Sequence, residues 1–145
     1  MRYLEDLVVG LVEESGVRLV SREEMLAFAR QYDPQYFHAD PEAAKRSRFG
    51  DIIASGIYTM AIWRQLDHEI AGDIAWICGV AWDDVRFATA VRPGDTLHAR
   101  AVCLSKRPSG SDPRRGVTVY QYTLHNQRSE IVFSARSTNL VERRP

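Results

Sequence analysis

The sequence predicts an α+β fold, one domain in which a curved antiparallel sheet wraps around a central apolar helix. Three observations carry this. The stretch "SGIYTMAIWRQLDHEIAG", residues 55–72, places Ile57, Met60, Ala61, Ile62, Trp63, Leu66 and Ile70 over more than one helical face. A helix that is apolar around most of its circumference is surrounded by other structure instead of lying on a surface. Four β-rich segments follow it, and one such helix with a run of strands is the signature of an α+β packing. The chain has 145 residues and is 45% hydrophobic, enough for one compact core and too little for a second.

The elements can be justified in chain order. The opening "LVVGLVEESGVRLV" carries Val-rich runs broken by Gly10 and Gly16, which suits a strand or two with a turn. In "SREEMLAFARQYD", Ser21 and Glu24 have capping-box spacing, and Met25, Leu26, Phe28 and Ala29 follow at helical intervals, so a helix over about Arg22 to Gln31 is expected. "DPEAAKRSRFG" offers Asp40 as a cap, Pro41 at the first helical position and Gly50 as a stop, which predicts a short second helix. The central apolar helix comes next.

Beyond Gly72, "CGVAWDDVRFATAV" is rich in Val and aromatics, and "TLHARAVCLSK" alternates Leu97, Ala99, Ala101 and Cys103. "RPGD" lies between them, with Pro93 and Gly94 at the central positions of a type II turn. The expectation is two strands joined by that turn. After the polar loop "RPSGSDPRRG" come "VTVYQYTLH" and "IVFSARSTNLV", joined across "NQRSE", giving an antiparallel meander. A single sheet with open edges is prone to associate, so edge pairing between two copies and a homodimer are expected.

Charge narrows the partners. Nineteen basic residues balance nineteen acidic ones, so no long-range field would hold the chain to nucleic acid or to an anionic membrane. No apolar run has signal-peptide or membrane-span length, and the expected location is the cytoplasm. Cys78 and Cys103 lack metal-ligand spacing and read as reduced core residues. His68, His98 and His125 are scattered, so no metal is implied.

The chemistry-bearing stretch is "DPQYFHADPEAAKRSRFGDIIASG", residues 33–56, in which Asp33 and His38 stand five apart before a Ser-Gly that opens the apolar helix. Asp33 alone reads as a turn starter before proline, and His38 alone as a solvated loop residue. Asp40 reads as a helix cap, and Ser55 as another, since no Gly-x-Ser-x-Gly elbow surrounds it.

Taken together, "FARQYDPQYFHADPEAAKRSRFGDIIASG" resembles the signature of the MaoC-like dehydratases, a hot-dog-fold family that includes (R)-specific enoyl-CoA hydratases. The opening "YLEDLVVGLVEESGVRLVSREEMLAFA" and the stretch "DDVRFATAVRPGDTL" resemble that family too, so the likeness covers most of the chain. It implies a single hot-dog domain over residues 1–145, with Asp33 and His38 as the acid-base pair. It also implies that the Gly56 backbone N–H binds the thioester carbonyl. No cofactor is implied beyond coenzyme A, or an acyl carrier, as part of the substrate.

The implied reaction is addition of water to a 2-enoyl thioester, or its reverse from a (3R)-3-hydroxyacyl thioester. Such a step needs one group to take a proton from water, another to supply one at the α-carbon, and a donor for the charge gathering on the carbonyl oxygen. A glycine N–H at a helix start supplies the last of these, because no Cβ keeps the ligand away. Which of Asp33 and His38 is acid and which base is left open by the sequence.

The chain departs from the pattern in two places. The better-known hydratases commonly read Asp-x-Asn-Pro-x-His, whereas this chain reads Asp33-Pro34-Gln35-Tyr36-Phe37-His38, and the His that often precedes the helix-opening Gly is Ser55. Tyr36, Phe37 and Trp63 are candidates for an acyl tunnel or for ordinary core. Lys106, Arg107, Arg114 and Arg115 flank a loop that can serve coenzyme A phosphates or simply be a solvated hairpin tip. A hot-dog acyl-CoA thioesterase, or a non-catalytic acyl-thioester binding protein, is the alternative reading.

Overall fold

The computed structural model describes all residues, Met1–Pro145. A 3-10 turn, Leu4–Asp6, precedes two short strands, β1 (Val12–Glu14) and β2 (Arg18–Leu19). Helices α1 (Arg22–Tyr32), α2 (Tyr36–Ala39), α3 (Pro41–Ala44) and α4 (Gly56–Ala71) follow. The chain then runs through β3 (Trp76–Arg86), β4 (Thr96–Pro108), β5 (Arg115–His125) and β6 (Ile131–Glu142).

The sheet is antiparallel in the order β1-β4-β5-β6-β3, with β2 also on β4. Alternation decides its inner face. Leu97, Ala99, Ala101 and Cys103 on β4, Tyr120, Tyr122 and Leu124 on β5, and Phe133, Ala135 and Val141 on β6 are all buried. They form one core with Tyr58, Ile62, Trp63, Leu66 and Ile70 of α4. The backbone of α4 comes near the sheet chiefly at β4, where alanines on the inner face leave room for a helix.

The strand pairing corrects one expectation. The turn at Arg92–Asp95 exists: Asp95 N–H donates to the Arg92 carbonyl at 3.1 Å, and Gly94 takes φ +84°, which a type II turn demands of its third residue. It does not join two paired strands. β3 pairs with β6, and residues 87–95 leave the sheet and cross to its other side, held by Ala88 N–H to Val132 O, Ala54 N–H to Val91 O and Gly94 N–H to Val20 O. β3 is therefore an outer strand, and it exposes Ile77, Val80, Trp82 and Val85, with Phe87 just beyond its end.

Smaller corrections have local causes. Ser21 Oγ caps α1 by accepting from Glu24 N–H at 3.3 Å, but Glu24 does not return the bond, because Arg18 and the Tyr58 hydroxyl occupy its carboxylate. Asp40 caps α3 as expected, accepting from the N–H groups of Glu42 and Ala43. The helix stops at Ala44, well before Gly50, where Ser47 Oγ donates to the Ala44 carbonyl at 2.6 Å. Cys103 is buried, and that burial raises its thiol pKa, whereas Cys78 is exposed on β3. No helix is long and apolar enough to cross a membrane.

Candidate active site

The segment between α3 and α4 organises the site. Ile53 N–H donates to the Phe37 carbonyl at 3.0 Å and Ala54 N–H to the Val91 carbonyl at 2.8 Å, so residues 53–56 are held between α2 and the crossing segment. Three groups converge there.

His38 comes from α2, a single helical turn where a loop is expected. Its backbone N–H donates to the Gln35 carbonyl, and the turn directs the imidazole inward while Tyr36 stays exposed. His38 is 8% exposed, so the expectation of a solvated loop residue is corrected. Its Nδ1 lies 2.7 Å from the Ile53 carbonyl oxygen. A carbonyl only accepts, so Nδ1 carries the proton and Nε2 is left for the site.

Asp33 is the C-cap of α1, its N–H donating to Ala29 O. Its carboxylate faces His38, with Oδ2 3.7 Å from Nε2, and receives a hydrogen bond of 2.7 Å from Ser55 Oγ. The pair read from the sequence is therefore brought together, and Ser55 joins it.

Gly56 opens α4 behind its N-cap Ser55, whose Oγ also accepts from Ile57 N–H at 3.2 Å. The Gly56 N–H donates to no group of the chain, as expected for a first-turn amide. A Cβ there would lie 2.9 Å from the Phe87 ring, so any other residue has to displace that ring.

His38 and Gly56 both line a cavity of about 360 Å³ whose walls are mainly apolar, among them Phe49, Ile53, Phe87, Val91 and Val132. Those walls come from the loop before α4, the crossing segment and β6, and sequence reading named none of them. The aromatic candidates lie elsewhere. Trp63 is fully buried against Trp82, Tyr122 and Phe133, Tyr36 is exposed, and Phe37 packs edge-on against His38 from outside the cavity lining.

The four basic candidates stand at the hairpin joining β4 to β5, roughly 30 Å along the strands from the His125–Ile131 end where the cavity lies. Lys106 Nζ already donates to the carbonyls of Leu4 and Glu5, and Arg114 pairs with Asp112. No cluster of three or more His, Cys, Asp or Glu side chains able to hold a metal ion is present.

An imidazole with a free Nε2 and an unused helix-start N–H border one apolar cavity, and with the Asp33 carboxylate 3.7 Å from that Nε2 they can hold a water beside a bound carbonyl compound. The family model for the MaoC like domain matches residues 11–125. The chain belongs to the MaoC-like family. It is 32% identical over 142 residues to the uncharacterized protein YdeM of Bacillus subtilis, covering 97% of this chain and 99% of that one.

The crystal structure of a MaoC-like dehydratase from Rhodospirillum rubrum superposes with a TM-score of 0.92 at 38% identity, covering 100% of this chain and 99% of the other. At identities that speak for the fold alone, the (R)-hydratase PhaJ1 of Pseudomonas aeruginosa matches with a TM-score of 0.72 at 20% identity, over 98% of this chain and 86% of that one. A double hot-dog protein of Mycobacterium tuberculosis matches at 0.84 and 14%, over 99% of this chain and 45% of that one. The fold is the hot dog, with α4 at its centre.

Proposed function

We propose that this MaoC-like protein hydrates 2-enoyl thioesters of coenzyme A to (3R)-3-hydroxyacyl thioesters, or runs the reverse dehydration. The observation that carries the reading is the approach of Asp33 Oδ2 to His38 Nε2, 3.7 Å, beside the unused Gly56 N–H. That gap is too long for a direct hydrogen bond, and a water can engage both groups from one side.

In this mechanism the thioester carbonyl accepts from Gly56 N–H, and the acyl part occupies the apolar cavity. The water held by Asp33 and His38 adds to the β-carbon, and the proton it gives up to the pair is passed on from the same side to the α-carbon. Charge gathering on the carbonyl oxygen is met by an N–H at the start of a helix of sixteen residues, where dipole and hydrogen bond act together. The chain is expected to work in the cytoplasm, where the thiols of Cys78 and Cys103 stay reduced. It is further expected to form a homodimer through the free edge of β3.

Incubation with a short 2-enoyl-CoA tests the reading, following enoyl absorbance beside a thiol reagent. Hydration removes the enoyl signal and leaves the thioester whole. Release of thiol with the enoyl signal intact would establish a thioesterase instead, and acyl-CoA binding with neither change would mark a binding protein.

A further inference from the structure

Ser55 has a second task that its place as a helix cap conceals. A capping hydroxyl spends a lone pair on the helix and can give its proton to water. Ser55 is 1% exposed, so its proton has no such outlet. It goes to Asp33 Oδ2 at 2.7 Å, while the lone pair takes Ile57 N–H. Both bonding directions are thereby fixed.

Asp33 depends on this bond. Its backbone is set by the end of α1, but the carboxylate has no other hydrogen-bond donor in the chain, and His38 Nε2 stands off at 3.7 Å. We infer that Ser55 is a positioning residue for the reaction, aiming the Asp33 carboxylate at the water and locking it in register with the Gly56 N–H one residue further on. The inference rests on the hydration reading for its catalytic meaning. One end of the substrate would be held by Gly56 and the other reactant by a carboxylate tied to Ser55, so the distance from carbonyl oxygen to attacking water is set by two adjacent residues and not by two separate elements. Oδ2, the carboxylate oxygen facing His38, accepts from Ser55 and keeps a second lone pair for the water.

Substitution separates capping from positioning. Glycine is nearly as good an N-cap as serine, whereas alanine is not. Neither can donate to Asp33. Ser55→Gly and Ser55→Ala are expected to lower kcat about tenfold or more, the scale of a lost hydrogen bond to a charged group, with little change in KM. Only Ser55→Ala should lose clear thermal stability, and Ser55→Thr should restore kcat.

If kcat instead follows the melting temperature, with Ser55→Gly as active as the parent, Ser55 is a cap and the inference fails. A crystal structure of Ser55→Gly gives an answer that needs no turnover. The Asp33 carboxylate is expected to swing away from His38, and an unmoved carboxylate overturns the proposal. Should the parent protein hydrate no enoyl thioester, the functional reading falls while this structural comparison still decides the role of Ser55.

Discussion

Asp33 and His38 differ in how much structure each supports. Asp33 is part-exposed, and its carboxylate is bonded only through Ser55. Asp33→Asn is expected to cut turnover by at least ~10²-fold with an unchanged melting temperature. His38 is buried and bonded to the Ile53 carbonyl, so His38→Ala should lose activity on the same scale and also lower the melting temperature by opening a cavity beside an unpaired carbonyl. Steady-state kinetics with thermal melts checks both, and parent-like turnover in either variant removes that residue from the mechanism. The spacing of these two was legible because it is local. The Ser55 bond was not: capping is visible in a short window, but the acceptor of its proton lies on another helix. Phe87 and Val132 were invisible for a related reason, since a cavity wall is assembled from segments far apart in the chain.

At the level of elements, what the sequence revealed was local geometry, and what it withheld was partnership. Pro93-Gly94 specified the turn and alternation specified the inner face of β4, yet neither says which strand lies alongside, and β3 went to β6. The one-turn helix α2 escaped notice because four residues show no periodicity. Between β4 and β5, His98 and His125 stack across the strands, with ring centroids 5.2 Å apart. Burial, and then the neighbouring His98, lower the His125 pKa below its usual value. The unfolded chain therefore takes up this proton first. The resulting stability is present above about pH 6.5 and is lost as pH falls through the lowered folded value. Melts between pH 8 and pH 5 should show a slope that His125→Gln reduces, and an identical slope in both proteins would dismiss the pair as its source.

For the whole molecule, the free edge of β3 matters most. It offers unpaired backbone beside Ile77, Val80, Trp82, Val85 and Phe87, a surface that isolated sheets seldom leave open. Sedimentation should report a dimer or a multiple of it at micromolar concentration, and Val80→Lys, a charge on that edge, should favour the monomer. A parent protein that is monomeric and fully active would defeat the edge argument. The overall α+β arrangement was legible because one helix apolar all round and a β-rich remainder leave few ways to bury both. The path of the chain through residues 87–95 has a further consequence, for the order in which the molecule assembles. β4, β5 and β6 meet through short hairpins, whereas β3 must wait for a partner that lies at the far end of the chain, pairing Trp76 with Val141. Contacts between distant residues close slowly, because the loop entropy is lost before the contact is gained. On a nascent or refolding chain the strand with the apolar free edge thus docks after the β4-β5-β6 meander, as do β1 and β2, whose partners on β4 lie farther off still along the chain.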